Sequence, residues 1–248
     1  RHVVPKRRNL VVEFDTSTNP TGLTTVKDTS EMGNNGTLIG TAYYSIGDKA
    51  FKFDGNSDYI TGTLNGVSGS ALNTSYTISL WVKNLSAANN ISVFVFIGTS
   101  GSSGGANAVS FRHDGSTTSY TLDNSGVWTF GTMGLPNALN TWRHIVAIFD
   151  GTTQKIYVDG VLGGTGTAYG TMNIPNNPTF SIGQRHSGGG TSEYLNGYIS
   201  NPKIYDTALT AEEVKTLYDM GRTESVANPR PLHISGPVNV MGDIRYIT

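Results

Sequence analysis

The chain contains no cysteine. Disulfides, zinc fingers, iron–sulfur sites and thiol nucleophiles are therefore excluded, and a chain of this length can hold a core without such staples. Charge is scarce too. Asp, Glu, Lys and Arg make up 14% of the 248 residues, against roughly 25% in an ordinary soluble domain. The net charge is −1, so the basic field of a nucleic-acid binder is missing and no nucleic-acid partner is expected. No apolar run approaches the ~18 residues of a membrane-crossing helix. The opening RHVVPKRRN lacks the apolar core of a signal peptide, and the chain reads as an excised or processed piece of something longer. Its KRR cluster, Lys6–Arg8, reads as a solvated arm.

What is present is glycine, 31 residues, and more Tyr (12) than Phe (9). Ser, Thr and Asn must solvate the surface, a habit of extracellular β-proteins. Short β-type runs recur between turn-formers, as a sandwich requires. They are Leu10–Phe14, Ala50–Phe53, Tyr59–Thr63, Tyr76–Lys83, Ser92–Ile97, Ala108–His113, Tyr120–Asp123, Trp142–Phe149, Lys155–Val158, Thr179–Ile182 and Gly197–Tyr205. In YTISLWVK, Tyr76, Ile78, Leu80 and Val82 alternate with Thr77, Ser79, Trp81 and Lys83. HIVAIF is apolar on both faces, which marks a central strand. Asp54-Gly55, Asp150-Gly151 and Asp159-Gly160 are turn pairs. The glycine-rich stretches Gly98–Asn107, Gly163–Gly166 and Gly188–Gly190 read as loops.

One helix is expected over Ala211–Met220. Thr210 and Glu213 form a capping box, Val214, Leu217 and Tyr218 share a face, and Gly221 reads as the stop beyond the helix. The domain division is an arm at 1–9, a sandwich at 10–220, and a linker with a β-type tail at 221–248 leading to a neighbouring domain.

Several segments, in this order, resemble laminin-G-like domains of the concanavalin A-like lectin/glucanase superfamily. They are LVVEFD, the Asp28–Thr37 loop, AFKFDGNSDYI, YTISLWVK, NTWRHIVAIFDGTTQKIYVDGVL, FSIG and LNGYISNPKIYDTALTAEEV. The resemblance spans about residues 10 to 220. It implies an all-β, two-sheet antiparallel jelly-roll sandwich closed by one short C-terminal helix. It also implies that Trp142 packs in the core. One departure stands out: the acidic pair that members commonly carry after Gly-x-Ile is Ser200-Asn201 here. The Glu-x-Asp-x-x-Glu string of the laminarinase-type branch is absent as well, so no hydrolysis is expected.

The candidate function is non-catalytic, lectin-like glycan binding on an extracellular or virion-surface protein. The rival is a structural or assembly module of a fibre or capsid, with a homo-oligomer formed through the fibre; a glycan-cleaving enzyme is the second alternative. A virion is suggested by the tail LHISGPVNVMGDIRYIT, which resembles the segments linking domains in viral fibre proteins. Sugars are held by aromatic faces beside planar polar groups. Arg112, Asp114, Tyr120 and Trp128 form one such set, and Arg185, His186 and Tyr194, with Glu193, another. Tyr43 and Tyr44 are a third. Core packing is the competing reading for each aromatic. Calcium is the candidate cofactor, with Asp28, Asn34 and Asp58 as ligands, since it collects carboxylate and amide oxygens. The alternative is that Asp28 caps a turn and Asp58 borders a strand.

Overall fold

The structure, a computed structural model, describes residues 7–19, 22–86, 91–99, 108–114, 119–124, 139–167, 172–185 and 193–224. Among them the elements run β1 (Leu10–Glu13), β2 (Thr25–Val26), β3 (Gly36–Ile39), β4 (Tyr43–Ser45), β5 (Ala50–Asp54), β6 (Tyr59–Thr63), α1 (Gly69–Thr74), β7 (Tyr76–Ser86), β8 (Ile91–Gly98) and β9 (Ala108–Asp114). They continue with β10 (Ser119–Asn124), β11 (Trp142–Phe149), β12 (Thr153–Val158), β13 (Val161–Thr167), β14 (Thr179–Ile182), β15 (Asn196–Tyr205) and α2 (Ala211–Glu224). Two antiparallel sheets result. One has the order β13-β12-β11-β7-β15-β5-β4, with β1 added to β15; the other has the order β10-β9-β8-β14-β6-β3-β2. The expected sandwich is what the chain forms.

Period-two alternation builds the core. Tyr76, Ile78, Leu80 and Val82 of β7 and Ile145, Ala147 and Phe149 of β11 face inward. Phe94, Phe111, Leu122 and Phe180 of the opposite sheet meet them, all essentially without exposed surface. Phe94 and Phe111 pack edge to face at 5.7 Å, the arrangement ring quadrupoles favour. Asp159-Gly160 joins β12 to β13, both residues having positive φ (52° and 79°), the twist a two-residue hairpin needs. At Asp150 the carboxylate accepts from the backbone of Thr152 and Thr153 and from Lys155, which together draw it down to about 2 against the opposing effect of burial.

A second, smaller core lies outside the eight-stranded sheet. Leu10, Val146, Ile148, Tyr157 and Tyr205 of the sheet pack against Leu209, Val214 and Leu217. This is why HIVAIF is apolar on both faces. The capping box forms: Glu213 Oε2 accepts from the Thr210 amide at 2.8 Å, and Thr210 Oγ1 accepts from the Glu213 amide at 3.2 Å. Thr77, on the outward face of β7, donates to the Thr207 carbonyl and accepts from the Leu209 amide, fastening the lead-in to α2.

Three expectations are corrected here. The helix does not stop before Gly221 but runs through it to Glu224. Glycine is needed there for close approach, because a Cβ would lie 2.1 Å from Trp81 Nε1. Gly163–Gly166 is not a loop but the middle of β13, an edge strand held by its ladder with β12. Trp142 is not in the core. It shares the outward face of β11 with His144, Val146 and Ile148 and is half-buried. Trp81 on the neighbouring strand is the buried one, at 4% exposure.

Candidate functional site

The outward face of the seven-stranded sheet carries the strongest constellation. Strand pairing sets Thr37 beside Thr61, Thr61 beside Ser181 and Ser181 beside Phe96, so a hydroxyl-rich stripe crosses it. After β14 the chain turns at Gly183, whose φ is 89° and where a Cβ would lie 2.8 Å from the Phe53 ring, so no side chain is admitted. Gly183 donates to the Phe94 carbonyl and accepts from Leu195, while Gln184 bridges to Tyr194 and the Arg185 amide donates to the Glu193 carbonyl. Two short arms, Gly183–Arg185 and Glu193–Leu195, are thereby locked beside β9.

The two residue sets that are separate in sequence converge here. Glu193 lies 3.4 Å from Arg185 Nη1 and 3.8 Å from Arg112 Nη1. Arg112, on β9, is fully buried, and Arg185 is 9% exposed. These contacts are longer than the ~2.7–2.9 Å of a tight charge-assisted pair, so the guanidiniums surround the carboxylate without clamping it. Beside it, the Tyr194 and Tyr59 rings sit 6.4 Å apart at 43°, both half-buried. Gln184 Nε2 donates to Tyr194 Oη at 3.1 Å and fixes that ring. Chemically, this is a carboxylate that can accept from hydroxyls next to two partly exposed aromatic surfaces.

The other proposed site residues fare differently. Tyr120 belongs to the inward face, not the site: it is 3% exposed, packs against Phe94 and His113, and burial pushes its hydroxyl up to about 12. Asp114 ends β9 at the register position of Ser119 and Ile91, and its side chain lies outside the described residues. Trp128 and His186 also lie outside them. Tyr59 and Gln184 were not singled out in the sequence. The available signal was the polar alternation Tyr59, Thr61, Thr63 around buried Ile60.

Asp28, Asn34 and Asp58 do not fit calcium. Asp28 accepts from the amides of Glu13, Ser30 and Asn34 and from the Ser30 hydroxyl, so both its oxygens are taken. Asn34 donates to the Val11 carbonyl and accepts from the Asn65 amide. Asp58 serves a different turn, accepting from the Thr41 amide and hydroxyl. Among the described residues no three His, Cys, Asp or Glu gather as a metal site. Ser200 and Asn201 are tied to Thr16: the hydroxyls of Thr16 and Ser200 are 2.9 Å apart, and Asn201 Oδ1 accepts from the Thr16 amide.

A laminin-G-type family model described as the concanavalin A-like lectin/glucanases superfamily matches residues 54–215. The chain belongs to this superfamily. No curated protein sequence matches it. Among solved structures, domain 4 of a GH43 extracellular arabinanase from Geobacillus stearothermophilus, in complex with arabinotriose, superposes with a TM-score of 0.65 at 22% identity. That match covers 85% of this chain and 98% of that one. Trypanosoma rangeli sialidase in complex with sialic acid gives 0.67 at 17% identity, over 90% of this chain and 35% of that one. The binding domain of botulinum neurotoxin DC, in complex with rat synaptotagmin II, gives 0.62 at 13% identity, over 87% and 52%. This chain thus spans about a third of the sialidase. At these identities the likeness shows the shared sandwich alone, and the side chains must be read on their own.

Proposed function

We propose that this superfamily member is a non-catalytic, lectin-like recognition domain that binds glycans through the outward face of its seven-stranded sheet. The observation that carries the reading is the Glu193 carboxylate, flanked by Arg112 and Arg185, beside the Tyr59 and Tyr194 rings. The same sandwich in the arabinanase domain accompanies arabinotriose, which supports carbohydrate as the ligand class. Display on an extracellular or virion surface fits the Ser/Thr/Asn-rich, charge-poor composition. The missing Glu-x-Asp-x-x-Glu string supports a binding rather than a hydrolytic role.

A glycan array, read with wild type and with Glu193→Gln and Tyr194→Ala, tests this. Wild type is expected to retain a subset of glycans that both variants lose, each by at least tenfold in affinity when titrated, with unchanged circular dichroism. No reducing ends should appear on prolonged incubation. Retention of every ligand by both variants would move the site elsewhere, and turnover would make the domain an enzyme.

One observation favours the structural rival. Among the described residues β13 is an edge strand, and it leaves Val161 69% and Leu162 47% exposed. If that edge mediates assembly, sedimentation should show a concentration-dependent oligomer that Val161→Lys abolishes.

A further inference from the structure

We propose that the opposite side of the sandwich, the outward face of the eight-stranded sheet, carries a second and independent binding surface for an anionic polysaccharide. Strand register assembles it. Tyr43 pairs with Lys52, Lys52 with Tyr198, Tyr198 with Lys83, and Lys83 with Trp142. All five occupy outward positions, because their neighbours Phe51, Phe53, Ile199 and Val82 fill the core. The result is a straight row, aromatic–Lys–aromatic–Lys–aromatic, across the adjacent strands β4, β5, β15, β7 and β11. At about 4.8 Å per strand it runs roughly 19 Å.

Its members are accessible and poised. Tyr43 is 51% exposed, and the other four are half-buried. The Lys52 ammonium lies 5.4 Å and the Lys83 ammonium 5.6 Å from the Tyr198 ring centroid. Two like charges therefore share one ring, within cation–π range. The Trp142 ring is 6.3 Å from Tyr198. Among the described residues neither lysine forms an ion pair, whereas Lys155, Lys203 and Lys215 each meet a carboxylate. An anion placed between Lys52 and Lys83 would relieve their repulsion. On one side the row is bounded by α2, whose Tyr218 stacks on Trp81.

The occupant follows from this chemistry. Rings spaced two strands apart offer faces to successive sugars, and the ammonium groups between them meet carboxylate or sulfate groups repeated along the same chain. Single-stranded nucleic acid also uses rings and cations. Oligo-dT therefore stands beside the glycans in the test.

Calorimetric titration tests the proposal with four probes: oligogalacturonate, a heparin oligosaccharide, a neutral cello-oligosaccharide of matched length, and oligo-dT. At least one anionic glycan is expected to bind, to quench tryptophan emission, and to weaken as salt rises. The double variant Lys52→Gln/Lys83→Gln and the single variant Tyr198→Ala should each weaken it at least tenfold. The cello-oligosaccharide should bind at least tenfold more weakly than the anionic chain. Binding of oligogalacturonate shows that carboxylates suffice, and binding of heparin alone shows that sulfate is required. The Glu193→Gln variant, disabled at the first face, should keep this binding, so the failure of either site is read separately. The proposal is overturned if neither anionic glycan binds at millimolar concentration. It is equally overturned if the double variant binds as wild type does, if the neutral chain binds as tightly, or if oligo-dT binds best.

Discussion

Acidification from pH 7 to pH 4 is expected to remove about 3 kcal/mol of stability through one residue, His144. Its side chain has no exposed surface worth the name, at 2% for the residue. It lies between Trp81, 5.2 Å away, and Tyr218 of α2, 5.9 Å away. Nε2 shares a hydrogen bond with Ser79 Oγ at 3.0 Å, while Lys203 faces it from β15 and Asp159 accepts from its backbone amide. Burial first, and the Lys203 charge second, push the imidazole from its ordinary 6.5 down to about 3. The sign is fixed by which state takes the proton. Below about 6.5 the unfolded chain binds it and the folded protein refuses it until about 3. Stability is therefore complete above pH 6.5 and is lost as the pH falls toward 3, where the full deficit is about 5 kcal/mol. Asp150, drawn down to about 2 from its ordinary 3.8, adds its own loss chiefly as the pH falls from about 4 toward 2, so its share between pH 7 and pH 4 is small beside that of His144. Urea denaturation at intervals from pH 7 to 4 checks the effect. His144→Gln should flatten the profile relative to wild type; parallel profiles would show that the ring is not held neutral by burial.

The second large effect separates two tryptophans. Trp81→Ala is expected to cost about 3–5 kcal/mol, the usual range for a buried aromatic truncated in a core. Trp81 is stacked on Tyr218 at 5.7 Å and 18° and leaves no room for a Cβ on Gly221, so its loss opens a cavity under α2. Trp142→Ala should cost no more than about 1 kcal/mol, in line with substitutions away from the core. Thermal or urea denaturation of the two variants checks the contrast. Equal losses would mean that α2 does not seal the outer face as described.

That contrast also shows where sequence reading succeeds and where it stops. The alternation in YTISLWVK places Tyr76, Ile78, Leu80 and Val82 in the core correctly, since the pleat alone decides which side each residue takes. Asp159-Gly160 and Thr210-Glu213 are local chemistry and form as expected. The fate of an outward aromatic is not local. Whether Trp81 or Trp142 is covered depends on where α2 lands, more than a hundred residues away from Trp81 in the chain. The convergence of the candidate site is not legible in the sequence for the same reason. Arg112 and Glu193 meet only because β9, β8 and β14 lie side by side and Gly183 turns the chain back. Asp28 looked available for calcium because its partners include the amide of Glu13, which reaches it from another strand. Lys52, Tyr198 and Lys83 are invisible as a row until register aligns them.

The central claim, glycan recognition on the seven-stranded face, is tested most directly by amide chemical-shift mapping. A glycan retained on the array is titrated into the isotope-labelled protein. Shifts should concentrate at Tyr59, Thr61, Gln184, Arg185, Glu193 and Tyr194 and vanish in Tyr194→Ala. Shifts confined to the Tyr43–Trp142 row, or scattered with no saturable set on the seven-stranded sheet, would contradict the account.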